Sequence, residues 1–167
     1  IFEAAKFLLK AGKRAEKVYA HEDALQRYRE ACDVLENIET VQAILLKCET
    51  LERIGDVFRA CGQIEKSYDA YQKAIDLAAD RDLDRQHLSE LHRKMAVAAI
   101  LLTEIDRSEH HLEKAFHNAD GHPRLQARLL ITRASSAYTP STAPMISRLQ
   151  RPSPISGSRT RLSESAS

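Results

Sequence analysis

The chain matches itself at an offset of 43 residues: Gly12 and Gly55, Ala24 and Ser67, Tyr28 and Tyr71, and Ala31 and Ala74 stand in corresponding positions. A period of that length marks a supersecondary unit used more than once, and because one helix pair cannot bury its apolar face alone, neighbouring copies must stack. Inside each copy apolar side chains recur every three or four residues. Ala24, Leu25, Tyr28, Ala31, Cys32 and Leu35 share one helix face, as do Ile64, Ser67, Tyr68, Tyr71, Ala74, Ile75 and Ala78. The spacing predicts a longer helix from Thr40 to Cys61, with Val41, Ile44, Cys48, Leu51, Ile54 and Phe58 inward and Gly62 as its left-handed stop. Leu88, Leu91, Met95, Ala98 and Leu102 form a further inward stripe. Asp106 with Glu109 resembles the cap of a helix carrying Leu112, Ala115, Phe116 and Ala119, and Pro123 suits the first turn of a seventh helix reaching Tyr138. No strand pattern occurs, so the expected fold is all-α, an α-solenoid of about three and a half antiparallel helix pairs.

In the second copy Leu51, Ile54, Gly55 and Phe58, followed by Ser67, Tyr71 and Ala74, occupy the positions of the tetratricopeptide signature, which the repeat resembles. The first copy offers Leu8, Ala11, Gly12 and Ala15, then Ala24, Tyr28 and Ala31; a third, 41 residues after the second, matches by size through Met95, Ala96, Ala99, Ser108, Leu112 and Ala115. The small residues let paired helices approach, and the tyrosines fill the gap to the next pair. The period exceeds the usual ~34 residues, and Ala79 stands where the pattern has Pro. The opening, Ala5–Gly12 continuing through Val18–Leu25, also resembles the tetratricopeptide-like region that follows the ATPase module of large bacterial signalling ATPases and nucleotide cyclases. That resemblance implies a segment that senses or binds a partner, with catalysis elsewhere in a longer chain, and Ile1 at the start fits such a fragment.

Composition changes near residue 139. Residues 139–167 hold eight Ser, four Pro and four Arg against one acid, Glu164, too little apolar matter to offset ordering entropy, so a disordered tail is expected after a repeat domain of residues 1–138. The incomplete fourth pair should expose Leu125, Leu129 and Leu130, an edge suited to self-association. A net charge of +1 argues against a dedicated nucleic-acid binder. Three cysteines without a Cys-x-x-Cys pair, and no long apolar run or leader, point to a cytoplasmic setting and away from a membrane.

No phosphate-binding loop occurs, so no nucleotide cofactor is expected. His110, His111, His117 and His122 with Glu113 invite a metal reading, but lack a His-Glu-x-x-His motif or a nearby Cys, and no metal is expected. Cys48 and Cys61 read as small buried hydrophobes, and no paired carboxylates suggest an enzyme. The informative feature is charge on the first helix of each pair, which in such solenoids lines the ligand groove. Lys6, Lys10, Lys13, Arg14 and Lys17 form a basic stripe; Glu49, Glu52 and Asp56 form an acidic one, with Arg59 a turn further on. A bipolar groove suits a peptide, a protein domain or another domain of the parent chain. Two alternatives stay open: charges that simply pair across helices, and nucleic-acid binding by the basic first helix.

Overall fold

A computed structural model describes residues 1–79 and 84–137; the boundary at 138 and the expected tail 139–167 lie outside the described residues. Among the described residues seven helices follow one another: α1 (Phe2–Lys17), α2 (His21–Val34), α3 (Val41–Ala60), α4 (Ile64–Ala79), α5 (Arg85–Leu101), α6 (Ile105–Asn118) and α7 (Pro123–Ala137). Among the described residues there is no strand. α1 packs on α2, α3 on α4 and α5 on α6; α2 meets α3, α4 meets α5, and α7 lies against α5 and α6 as the first helix of a fourth pair. This is the tetratricopeptide-like solenoid that the period predicts.

Each pair turns in the same way, which is why the period shows in the sequence. The N–H groups of Ala20, Gln63 and Glu104 reach back to the carbonyls of Ala15, Phe58 and Ala99 at 2.9–3.0 Å, the long bond of a Schellman turn. The residue before each of them is left-handed: Tyr19 at φ 59°, Gly62 at 74° and Thr103 at 62°. Gly adopts that conformation freely, whereas a Cβ there costs about 1–2 kcal/mol. Tyr19 and Thr103 are therefore locally unfavourable choices. The turn also confirms that the third copy runs 41 residues behind the second, two residues short of the first offset.

Packing inside a pair is a volume exchange. A Cβ built at Gly12 would fall within 3.0 Å of three carbons of the Tyr28 ring, and one at Gly55 equally close to Tyr71. Both rings are fully buried and reach the next pair, Tyr28 among Ala43, Leu46, Ile54 and Val57, and Tyr71 among Leu91, Met95 and Ala98. In the third pair the exchange becomes Ala96 against Leu112, one methyl gained and the phenol lost, again with neither exposed. Ala24, Ala31, Ser67 and Ala74 are fully buried, as the small face of the second helices requires.

Four expectations need correction, all at helix ends or edges. Val41 and Cys61 continue the inward stripe of α3 in sequence but are exposed, because Val41 is the first helical residue after the Thr40 cap and Cys61 already belongs to the turn. Phe58 and Leu51 are only half-buried, packed from the rim. Asp106 is not a cap: α6 begins two residues earlier than that cap would place it, with Glu104 as N-cap and no side-chain bond. At the C-terminal edge Leu129 is buried against the third pair and Leu125 packs beside it, so the exposed apolar surface is Leu130 (59%) and Ile131 (68%).

Candidate functional site

The first helices α1, α3, α5 and α7 are joined to one another by ion pairs, one register after the next. Lys13 Nζ meets Glu49 Oε1, and Arg53 lies 3.9 Å from Glu16. Lys94 of α5 bridges two acids of α3, at 2.6 Å from Glu52 Oε1 and 2.8 and 2.6 Å from the two Asp56 oxygens. His87 Nε2 adds a 3.6 Å contact to Glu52, Tyr71 donates its hydroxyl to Asp56 at 2.8 Å, and Arg128 of α7 reaches Glu90 at 3.0 Å. Glu90 is held below the usual carboxylate range: burial opposes this, but Arg93 and Arg128 outweigh it. Of the remaining stripe, Lys6 pairs with Glu3 on its own helix, and Lys10, Lys17 and Arg59 are exposed.

Sequence reasoning placed the acids and the first-helix lysines together but missed Lys94, the cation that organises them. Its signal was present: Lys10, Arg53 and Lys94 share one register across the three copies, at offsets of 43 and 41. The pairs differ in character. Lys13 and Glu49 keep 36% and 39% of their side-chain surface, so their pairing is easily exchanged for a partner's charges, whereas Lys94, Glu52 and Asp56 keep 14–19% and are structural. Between α3 and the start of α5 this side opens into a cleft of about 320 Å³ lined by Leu45, Glu49, Glu52, Arg53, Asp84 and His87.

A second polar cluster lies inside the stack. His111 keeps an edge contact with the His110 ring, 5.6 Å between centroids, but turns inward, its Nδ1 3.2 Å from His92 Nδ1 and its Nε2 2.5 Å from the Tyr68 hydroxyl. The three side chains are almost fully buried where α4, α5 and α6 meet, and the Arg107 guanidinium sits 3.9 Å above the Tyr68 ring. Burial, reinforced by the positive charge of Lys114 and by His110, drives the pKa of His92 down to about 4; burial and then His92 itself do the same for His111. No group of three or more His, Cys, Asp or Glu is placed to hold a metal among the described residues. The thiols of Cys32 and Cys48 are pushed up to about 11, chiefly by burial, which keeps them protonated and unreactive at neutral pH.

No protein-family profile matches the chain, and no curated protein compared with it does. Among solved structures it is similar to the N-terminal domain of stress-induced protein-1 (STI-1) from C. elegans, with a TM-score of 0.64 and 12% sequence identity over 79% of this chain and 96% of that one. At that identity the likeness is one of fold. No helix of the described residues is long and apolar enough to cross a membrane.

Proposed function

We propose that this chain is a protein-interaction module without catalytic activity of its own, which binds a peptide or domain along the side formed by α1, α3 and α5. The observation that supports this reading best is the combination of an open cleft with exchangeable charge: Glu49 and Lys13 can release each other for a ligand, while the Lys94–Glu52–Asp56 cluster holds the wall in place. Lys6, Lys10 and Lys17 on one side and Glu49 on the other give an extended ligand a polarity, and Arg59 marks the far end of α3. The setting is cytoplasmic, within a larger signalling protein whose ATPase or cyclase modules lie elsewhere, as the opening segment's resemblance implies.

The test is selection of binding peptides from a random library, followed by affinity measurement on Lys10→Gln, Glu49→Gln and, as a control on the second-helix side, Glu65→Gln. The reading requires peptides whose binding falls on the first two substitutions and not on the third. Peptides indifferent to all three would refute it. The nucleic-acid alternative is less well supported because Lys6 and Lys13 already have acidic partners; steeply salt-dependent RNA binding, lost on Lys10→Gln, would favour it instead.

A further inference from the structure

A second groove lies between the second helices α2 and α4, with α3 as its floor. It has a volume of about 290 Å³; Leu51, Ile54, Phe58 and Ala70 supply its apolar lining, and Arg29, Lys66, Asp69 and Lys73 its charged rim. That volume stands at the lower end of the range of ligand sites, roughly 300–1,000 Å³, and is enough for one large side chain. The repeat explains why the space is there. In the next interval, between α4 and α6, the positions of Leu25, Leu51 and Ala70 are taken by Tyr68, His92 and His111, at offsets of 43 and 41 residues. Those three rings meet in one buried cluster over α5. In the first interval two leucines and an alanine leave the corresponding volume unfilled. The opposite exchange, Phe58 for Ala99, does not make it up, because the Phe58 ring is itself half-buried and lines the groove. Leu51 and Phe58 thus forfeit burial that a ring in the gap would recover.

The rim is unbalanced in charge. Arg29, Lys66 and Lys73 stand against Asp69 alone, and all four are exposed. Lys66 is engaged with Gln63 at 2.8 Å and lies 5.7 Å from the centre of the Phe58 ring. Among the described residues Arg29, Asp69 and Lys73 have no side-chain hydrogen bond or ion pair. They differ in this from Lys13, Lys94 and Arg128 of the first helices, each held by a carboxylate. The feature belongs to the first interval only: one interval on, Gln72 stands in place of Arg29, and Arg107, in place of Lys66, is already held by Glu104.

We propose that the groove between α2 and α4 docks an acidic segment of a partner polypeptide through one aromatic side chain of that segment. The ring enters over Ala70 against Leu51, Ile54 and Phe58, where the next interval holds rings of its own, and flanking carboxylates meet Arg29 and Lys73. The unpaired cations set the sign of the occupant, since a basic segment would meet like charge at the rim. By the same rule residues 139–167 of this chain, with four Arg against Glu164, do not suit the groove. Its cations lie on α2 and α4, so the proposal is independent of binding along α1, α3 and α5.

The chain contains no Trp, so indole fluorescence reports on a ligand alone. The probe is the blocked pentapeptide Glu-Glu-Trp-Glu-Glu, titrated with the full chain at low salt. Its emission should shift to the blue saturably at sub-millimolar protein, and the counterpart with Lys in place of each Glu should bind at least about tenfold more weakly. Arg29→Gln and Lys73→Gln should each lower the affinity about two- to fivefold, as the loss of an exposed ion pair does. Glu49→Gln should leave it unchanged. Ala70→His sets in the groove the ring that His111 supplies one interval on, and should abolish binding with circular dichroism retained; if that variant does not fold, the two rim substitutions decide. No blue shift, equal binding of the basic peptide, or an affinity indifferent to Arg29→Gln and Lys73→Gln would overturn the proposal. Binding weakened only by Lys10→Gln or Glu49→Gln would put the peptide on the first-helix side, overturning this assignment while supporting that one. Self-association lost on Ala70→His would make a second copy of the chain the occupant and overturn it likewise.

Discussion

Lowering the pH from 7 to 5 should destabilise this protein through one identifiable pair of side chains. Tyr68, His111 and His92 form a chain of hydrogen bonds that neutral rings can satisfy in either direction. One proton more places a charge in a buried site facing Arg107, His110 and Lys114, and a second sets two N–H groups against each other at 3.2 Å. Both rings titrate at about 4 in the folded chain against an ordinary 6.5, so between those values the unfolded chain binds more protons and stability must rise with pH. For a single ring the difference is worth about 2 kcal/mol at pH 5, and about 3 kcal/mol once the pH is below 4. With both rings counted, urea unfolding at pH 7.5 and pH 5.0 should differ by about 3–4 kcal/mol, a large share of the stability of a domain this size. Glu90, whose carboxyl is held low, loses its contribution only below the ordinary carboxylate value of 4.5, outside that interval. The double substitution His92→Leu with His111→Leu should remove most of the difference. If the double variant keeps the wild-type pH dependence, the pair is not its source.

Three further outcomes follow from the packing. Gly55→Ala drives a methyl into the Tyr71 ring and should cost about 1–3 kcal/mol in chemical denaturation; adding Tyr71→Leu should recover part of it, since Ala96 and Leu112 already realise that combination in the third pair. Lys94→Met leaves Glu52 and Asp56 facing each other without their shared cation, and a loss of about 3 kcal/mol in chemical denaturation is expected. Phe58→Ala should cost about 1–2 kcal/mol, well under the ~3–5 of a fully buried phenylalanine, because the ring is only half covered.

The sequence exposes what is local and repeated. Gly12 with Tyr28, and Gly55 with Tyr71, are legible because a small residue and a large one must keep their spacing for the pair to close, and Gly62 because the turn needs its backbone. The third copy is harder to see since its turn uses Thr103 and its small–large exchange uses Ala96 and Leu112, chemically different residues filling the same space. What periodicity cannot show is a contact between distant helices. Lys94 finds Asp56 38 residues away, and His92 and His111 find each other from neighbouring helices; the register that Lys94 shares with Lys10 and Arg53 marks its place but not its partner. Helix ends mislead in the opposite sense: the stripe of α3 runs on to Val41 and Cys61 although nothing covers them. At α7, Leu129 and Leu130 are adjacent in sequence and alike in chemistry, and only the packing partner decides which one is hidden.

The two sides of the stack are held by different forces, and that gives the molecule a mechanical asymmetry. The first helices are linked by ion pairs from α1 through α3 and α5 to α7, while α4 and α6 are linked by the neutral, buried contact of Tyr68 with His111. Added salt screens the exposed charges and leaves the buried contact alone. Ionic strength therefore relaxes one flank of a two-sided strip, and the response is a change of curvature without loss of helix. Small-angle scattering should register it as a shift in the longest dimension at constant circular dichroism, while the cleft between α3 and α5, held by the mostly buried Lys94–Glu52–Asp56 cluster, keeps its width.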